Sequence, residues 1–343
     1  MQKTEFIVKT MLRRTELYSK IKNFIKENGL INPKEKVILG VSGGPDSVFL
    51  FHTFLRLKED KDFLSRFVVA HFNHSLRPES DKEEEFVKKM CADFESPFVS
   101  EKKDVRQFFS GDSLEQTART LRYDFFLSQA RRLKIKKVVL AHHKDDLAET
   151  VLLRIVRGTG LLGLRGIAPL IKYKKIILVR PLLGMEKKDI LTFLDNKGIS
   201  YMTDKSNFDE EFLRNKIRLK LMPLLREMNP KIKDNFYSLS KSISLDYQFI
   251  YSETVRVFNK MVKFQGNKQL KLSLDLLGKL NPCLLNNLIR ISIERLKGHL
   301  RRIELRHIEE VIDLIRSRPQ GAVVDLPGIK VVKEKASLVF ILP

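Results

Sequence analysis

Two kinds of segment alternate between residues 37 and 183. Short apolar runs predict buried strands, and segments with an apolar residue every three or four positions predict helices. The predicted strands are 37–41, 67–72, 97–100, 137–142 and 177–182, and the predicted helices lie near 47–58, 81–95, 113–132, 146–157 and 186–197. This alternation favours an α/β fold with a doubly wound parallel sheet, in which ligands bind at the carboxyl ends of the strands.

The pattern differs on either side of this region. Residues 1–36 predict a basic helical lead-in, and residues 37–218 the α/β domain. Residues 219–343 predict a basic domain, mainly helical over 219–318, that ends in a small β element. The short apolar runs of that element are 322–326, 329–332 and 337–342.

The charge of the chain indicates a polyanionic partner. Its 64 Lys and Arg outnumber its 42 Asp and Glu, which gives a formal net charge of +22. Residues 214–343 hold 25 of the basic and 12 of the acidic groups, so the shorter part carries the larger excess. Phosphate contacts with a nucleic acid explain such an excess. A generally basic proteome or a solubility effect is the alternative that charge alone leaves open.

Cysteine content and hydropathy exclude several classes of protein. Cys91 and Cys283 are far apart and form no CxxC, so the sequence indicates neither a disulfide framework nor a zinc site. No apolar run approaches the ~20 residues of a membrane span. We therefore expect a soluble, reducing, cytoplasmic setting without a membrane partner.

The segment from Ser42 to Ser47 contains the strongest candidate chemistry. Ser-Gly-Gly-Pro-Asp-Ser joins the first predicted strand to a helix, where glycines and free helical N–H groups favour a phosphate site. The usual phosphate loop has a lysine, but here Asp46 stands beside the phosphates. A carboxylate at that point implies an intervening divalent cation, Mg²⁺. A plain glycine-rich turn in which Asp46 and Ser47 cap the helix is the alternative.

Polar residues also follow the second and fourth predicted strands. His71 begins His-Phe-Asn-His-Ser-Leu-Arg, and His142 lies in Ala-His-His-Lys-Asp-Asp-Leu-Ala-Glu-Thr. If Asp145 caps the helix, Asp146 and Glu149 share one face above the sheet, within reach of a metal at Asp46. Alternatively, these acids merely complement the helix dipole.

Three further segments add candidate contacts. Arg119 and Arg122 share a helix face and suit phosphate binding, or form a surface ion-pair ladder with Glu115. Residues 157–166 hold four of the sixteen glycines and predict a mobile lid or substrate loop. The segment 204–218 predicts a helix start capped by Asp204 or Ser206, or a basic seam that faces RNA.

In their order and spacing, these motifs resemble the tRNA(Ile)-lysidine synthase family of AMP-forming PP-loop ATPases, in its short form. The motifs are Ser42–Ser47, His71–Arg77, Ser113–Tyr123, Ala141–Thr150, Arg157–Gly166, Arg180–Leu182 and Asp204–Arg218. The resemblance implies a PP-loop fold of the adenine nucleotide α-hydrolase type. It further implies that ATP and Mg²⁺ are used to join L-lysine to the wobble cytidine of a tRNA(Ile) with a CAU anticodon, through an adenylated cytidine.

The resemblance also implies roles for particular residues. ATP would contact Ser42, Gly43, Gly44, Pro45, Asp46, Ser47 and His71; the metal would lie on Asp46 and Asp146; the catalytic set would be Asp46, Arg122, His142 and Asp146; and lysine or tRNA would contact Arg119, Glu149, Arg214, Asn215 and Arg218. The oligomeric state is left open, a homodimer included.

Rival interpretations come from related and from different classes. A tRNA thiolase needs a cysteine pair or an iron–sulfur cluster, which Cys91 and Cys283 do not suggest. A small-molecule amide synthetase would share Ser42–Ser47 but would not need the basic second domain. A non-catalytic nucleotide- or RNA-binding protein would not need the carboxylates and the arginine stripe.

Overall fold

The computed structural model describes residues 16–60, 63–109, 113–203 and 213–343. Two compact units divide the chain, one up to Lys241 and the other Ser242–Pro343. The domain boundaries that the sequence suggests, after residues 36 and 218, stay predictions.

A six-stranded sheet forms the centre of the first unit. Its strands are β1 (Glu35–Gly40), β2 (Leu64–Asn73), β3 (Phe98–Lys102), β4 (Lys137–Val139), β5 (Leu170–Tyr173) and β6 (Ile176–Val179). They are ordered β3-β2-β1-β4-β6-β5. All neighbouring pairs are parallel except β5 with β6. The chain order reverses direction between β1 and β4, and such a switch point opens a crevice at the carboxyl ends of the strands.

Helices cover both faces of this sheet. They are α1 (16–27), α2 (Pro45–Glu59), α3 (Glu79–Asp93), α4 (Leu114–Leu133), α5 (Lys144–Val156), α6 (Leu161–Leu164) and α7 (Lys187–Lys197). Side chains alternate along β1, so that Val37 and Leu39 join one core and Ile38 the other. Helices α1, α2, α3 and α7 contribute to the first core, and α4 contributes to the second.

Helices dominate the rest of the described chain. They are α8 (Leu213–Lys216), a π-helical turn (Ile217–Leu221), α9 (Met222–Met228), α10 (Ile232–Met261), α11 (Leu274–Leu277), α12 (Pro282–Lys297) and α13 (Leu305–Arg316). The second unit also has an antiparallel sheet with strands β7 (Val262–Gln265), β8 (Gln269–Ser273), β9 (Val323–Leu326), β10 (Ile329–Lys333) and β11 (Ser337–Ile341).

The structure confirms the predicted fold class and adds three strands. Strands β5, β7 and β8 escaped prediction, because β5 is an exposed edge strand and β7 and β8 lie in a stretch expected to be helical. Of the lead-in, residues 16–27 form α1, and residues 1–15 lie outside the described part. Within the described ranges, no helix is long and apolar enough to cross a membrane.

Candidate active site

The segment Ser42–Ser47 forms a tight loop between β1 and α2. Gly43 has a φ of +92°, in the left-handed region that only glycine adopts without strain. The hydroxyl of Ser47 closes the loop, because it accepts the N–H groups of Ser42 and Gly43, each at 3.1 Å, and donates to the carbonyl of Gly44 at 2.9 Å. Helix α2 begins at Pro45, so its positive dipole end points into the crevice.

Asp46, in the first turn of α2, is bound by a lysine that sequence reasoning missed. The Nζ atom of Lys187 is 2.6 Å from each of the two carboxylate oxygens. Burial opposes ionisation of Asp46, but His143 and Lys187 outweigh it and keep the pKa of this carboxyl below its ordinary value. Asp46 is therefore ionised at neutral pH.

The loop after β4 brings a second carboxylate to the same place. Asp146 accepts the N–H of His143 at 3.0 Å, so this side chain, and not Asp145 as expected, caps α5. The Nε2 atom of His143 lies 3.5 Å from Oδ1 of Asp46 and 3.5 Å from Oδ2 of Asp146. Although burial counteracts them, the two carboxylates raise the pKa of His143. The His143 ring thus lies between the two acids that the sequence proposed as metal ligands.

Asp145 instead fixes the position of helix α7. One of its oxygens accepts the backbone N–H of Lys187 at 2.9 Å, and the other contacts Nζ of Lys233. The N–H of Lys144 also donates to the carbonyl of Met185 at 2.9 Å. The loops after β4 and β6 are thereby joined.

Glu149 lies one turn beyond Asp146 and is only 3% exposed. The Nε and Nη2 atoms of Arg218 donate to its two oxygens at 2.7 and 2.9 Å, and Nε of Arg214 adds a contact of 3.0 Å. Nη2 of Arg214 also donates to Asp146 at 3.2 Å. Two basic residues of the segment 204–218, Arg214 and Arg218, therefore contact the acids of α5.

Asn215 is buried beside these arginines on α8. Residues 204–212, with the proposed caps Asp204 and Ser206, lie outside the described part. A pocket of about 430 Å³ opens next to Glu149. Its lining residues are Asp145, Glu149, Arg218, Met222, Pro223, Arg226, Glu227, Pro230 and Lys233.

The arginines Arg119, Arg122 and Arg180 form a group of cations, and His142 lies near two of them. The pKa of His142 falls to about 3, because burial and the nearby Arg180 and Arg119 outweigh the attraction of Asp146. His142 is therefore neutral, while Asp146 is ionised: burial resists its charge, but His143 and Arg214 lower its pKa.

The arginines of this group have few acidic partners. Arg122 makes no hydrogen bond or ion pair with another residue in the described ranges, and burial, with Arg119 nearby, lowers its pKa. Arg180 is 5% exposed, donates from Nη1 to the carbonyl of Ala168 at 2.7 Å, and its Nε has no partner among the described residues. Arg119 stacks 4.9 Å from the ring centre of Tyr123. Such a group is suited to bind an anion. Sequence reasoning gave Arg180 no role, although it lies in a quoted motif.

His71, at the end of β2, is fixed in one tautomer. Its Nδ1 lies 2.9 Å from the carbonyl of Val41, so Nδ1 carries the proton and donates. Burial lowers the pKa of His71 and keeps the ring neutral. Nε2 is then an acceptor, and this buried atom has no hydrogen-bond partner among the described residues. Arg77, at the end of the same motif, forms an ion pair with Glu83 at 2.9 Å.

The glycine-rich segment 157–166 contains the one-turn helix α6. Nη1 of Arg154 donates to the carbonyls of Gly163 and Gly166 at 2.5 and 3.0 Å, which ties the segment to α5. Its predicted role as a mobile lid stays a prediction.

Comparison with known proteins gives the class that this fold and site define. A family model described as the PP-loop domain matches residues 13–225. The U34-tRNA thiolase NcsA from Methanococcus maripaludis, solved with its [4Fe-4S] cluster, has a similar fold. The TM-score is 0.55 at 15% identity, over 66% of this chain and 77% of that chain. The chain is therefore a member of the PP-loop family.

Relatives at higher identity narrow the class. The tRNA(Ile)-lysidine synthase of Petrotoga mobilis (strain DSM 10674 / SJ95) is 34% identical over 93% of this chain and 96% of that protein. The enzyme of the same name from Clostridioides difficile (strain 630) is 32% identical over 94% of this chain and 70% of that protein. The chain belongs to the tRNA(Ile)-lysidine synthase family.

Proposed function

We propose that this chain is a ligase that joins L-lysine to C2 of the wobble cytidine in a CAU-anticodon tRNA(Ile), at the expense of ATP. The observation that carries the proposal is the convergence of Asp46 and Asp146 on His143 at the switch point of the sheet, beside a lysine-free phosphate loop. Family membership supports the same activity. The reaction belongs in the cytoplasm, where tRNA is modified.

The loop Ser42–Ser47 binds the phosphates of ATP in this proposal. Its glycines let the chain approach the ligand closely, and the start of α2 supplies N–H groups and a positive dipole end. His71 is the candidate to complete the nucleotide site, because its Nε2 is a buried acceptor without a hydrogen-bond partner among the described residues and would suit a donor such as the exocyclic amine of adenine.

Asp46 and Asp146 fit a Mg²⁺ ion. Both are ionised, and in the described structure Lys187 contacts Asp46 while His143 lies against both acids. Mg²⁺ takes one or two carboxylates and obtains its other ligands from water and phosphate. When bound, the ion would neutralise charge on the departing pyrophosphate.

In the first step, O2 of the cytidine attacks the α-phosphorus of ATP. The bond from that phosphorus to the bridging oxygen breaks, and pyrophosphate leaves. Negative charge builds up around the α-phosphate, and fixed cations aimed at such charge lower the barrier. Arg122 is the candidate, since it lacks an ion-pair partner among the described residues. Arg119 and Arg180 add positive potential.

In the second step, the ε-amine of lysine attacks C2, the C2–O2 bond breaks, and AMP leaves with that oxygen. The amine arrives as an ammonium that must lose a proton before it attacks, and Asp146 is the candidate carboxylate to bind that ammonium. Glu149 is engaged by Arg214 and Arg218, so we assign it the positioning of these arginines. The neighbouring pocket has both carboxylates and cations, which matches the two charges of an amino acid.

The basic residues of the chain support a tRNA partner. With 25 basic against 12 acidic groups, residues 214–343 provide phosphate contacts that bind RNA without reading its sequence. A thiolase activity is disfavoured, because the two cysteines of the chain are too few to hold an iron–sulfur cluster.

Pyrophosphate release and nucleoside analysis test the proposal together. Release should require ATP, Mg²⁺ and CAU-anticodon tRNA(Ile), and mass spectrometry of the digested tRNA should detect lysidine. Elongator tRNA(Met), which has the same anticodon, is the matched control and should give neither product. Equal activity on both tRNAs, or release of ADP and orthophosphate, would contradict the proposal.

A further inference from the structure

Lys187 is the most accessible cation bound to the phosphate loop. Its ammonium reaches Asp46 from a position 141 residues further along the chain. The loop itself lacks the lysine that phosphate loops place on the outer phosphates. A lysine is therefore present beside this loop, but it comes from a different element, the first turn of α7.

The backbone of Lys187 is fixed, whereas its side chain is not. Asp145 accepts its N–H, and Lys233 contacts that same carboxylate, so the start of α7 is held at the carboxyl edge of the sheet. The side chain is 31% exposed, and in the described structure its only ion-pair partner is Asp46. By contrast, Lys233 has a side chain that is 8% exposed and bridges two acids. The ammonium of Lys187 can thus swing about a fixed Cα.

Lys187 and a metal ion would compete for Asp46. A Mg²⁺ ion on this carboxylate would take at least one of the two oxygens that Lys187 now contacts, and its charge would repel the ammonium. The ammonium then needs another anion, and the triphosphate over the loop carries about four negative charges at neutral pH. The displaced cation and the arriving phosphates complement each other.

We propose that Lys187 exchanges Asp46 for the β- and γ-phosphates when Mg²⁺ and ATP bind, and so acts as the phosphate-binding lysine of this loop. The proposal rests on the proposed function in taking ATP as the ligand of Ser42–Ser47 and Mg²⁺ as the ligand of Asp46. Before binding, the ammonium keeps Asp46 compensated; afterwards, it holds the leaving pyrophosphate.

Nucleotide binding by Lys187→Met tests this inference against a matched control. Lys188 is the same residue type in the same helical turn, but it is exposed, so Lys188→Met removes a charge without touching the loop. Calorimetry would measure the dissociation constants of ATP, inorganic pyrophosphate and AMP in the presence of Mg²⁺. For Lys187→Met we expect about tenfold or weaker binding of ATP and pyrophosphate, as for one lost charge-assisted hydrogen bond. AMP, which lacks the outer phosphates, should bind within about twofold of wild type, and Lys188→Met should change none of the three.

The ratio of ATP to AMP affinity controls for partial unfolding of a variant, because unfolding would weaken the apparent binding of both ligands equally. Lys187→Arg, which keeps the cation, should retain much of the ratio. An unchanged ratio in Lys187→Met would overturn the inference and leave Lys187 as a structural ion pair. Lysidine formation by the wild type is measured separately, so its failure would contradict the proposed function and not this inference.

Discussion

Arg218 holds Glu149 by both carboxylate oxygens, with Nε at 2.7 Å and Nη2 at 2.9 Å. The pair joins the π-helical turn to α5, and Arg214 adds a third hydrogen bond. Hydrogen bonding to Glu149 is the main cause that raises the pKa of Arg218. Removing either partner lowers the stability of the folded protein, because the remaining buried charge is left without a partner.

We therefore expect Glu149→Gln to destabilise the protein. Loss of a buried partner costs about 3–5 kcal/mol, and the half-exposed arginines reduce this to about 2 kcal/mol. Urea unfolding followed by circular dichroism measures the change. Glu227→Gln, at an exposed position of the same pocket, is the control and should be neutral. If both variants unfold at the same urea concentration as wild type, the ion pair contributes no stability.

Asp46→Asn and Asp146→Asn should each abolish lysidine formation. Each removes one of the two carboxylates that converge on His143, and with it a ligand for Mg²⁺. Binding of tRNA depends on phosphate contacts and should stay within about threefold of wild type. Filter binding and nucleoside mass spectrometry measure the two properties. Wild-type turnover in either variant is the result that would remove that carboxylate from the catalytic set.

The first unit was predictable because its regular pattern is local. Strands β1, β2 and β4 show as apolar runs, and parallel strands with a common edge necessarily bring Asp46 and Asp146 close together. Strand β5 was not predictable, since all but one of its residues are exposed and it has no buried run. The same reasoning failed for contacts between distant elements. The pair Lys187–Asp46 spans 141 positions and leaves no periodic signal in the sequence.

The sequence could not predict which histidine approaches both carboxylates of the site. His142 and His143 are adjacent, so either could face the acids, and the resemblance favoured His142. The structure brings His143 to 3.5 Å from Asp46 and Asp146, while the half-buried His142 interacts electrostatically with Asp146, Arg180 and Arg119, so its catalytic role stays a prediction. The direction in which the chain leaves β4 decides this, and neither composition nor spacing records it.

His74→Gln should reduce the loss of stability in acid. His74 accepts the N–H of Leu76 at Nδ1, at 3.1 Å, and burial, with Arg122 and Arg77 nearby, lowers its pKa to about 4. Between about pH 4 and 6.5 the unfolded chain binds a proton that the folded chain does not, so stability falls as the pH drops through this window. We expect the variant to lose about 1–2 kcal/mol less than wild type there, after allowance for solvent screening.

Urea unfolding at a series of pH values measures this difference. His299→Gln is the control, since His299 accepts a similar N–H, from Arg301, at an exposed position. It should follow the wild-type curve. A parallel shift of the His74→Gln curve at all pH values, with no change of slope, would exclude His74 as the titrating group.

A thiol reagent should modify one cysteine of the native protein. Cys283 is exposed, whereas Cys91 is 1% exposed and burial raises its pKa to about 12, so its reactive thiolate is not populated. Spectrophotometric titration should give one thiol per chain, none in Cys283→Ser and two in denaturant. The variant should form lysidine at the wild-type rate. Loss of activity in Cys283→Ser would instead favour a cysteine-dependent chemistry such as that of the thiolases.

Arg122→Met should slow the first chemical step while nucleotide binding persists. The guanidinium of Arg122 has no hydrogen-bond or ion-pair partner among the described residues, so its removal leaves no acid unpaired and should not unfold α4. Loss of a fixed charge that acts on the transition state lowers the rate by about 10²–10³. Single-turnover release of pyrophosphate measures the step, and calorimetry should give an ATP affinity within about threefold of wild type. Arg131→Met, at an exposed position of the same helix, controls for the loss of one positive charge near the RNA. If ATP binding weakened as much as the rate, Arg122 would act by binding ATP in the ground state. The charge that forms at the α-phosphate would then need another partner, and Arg180 would be the next residue to test.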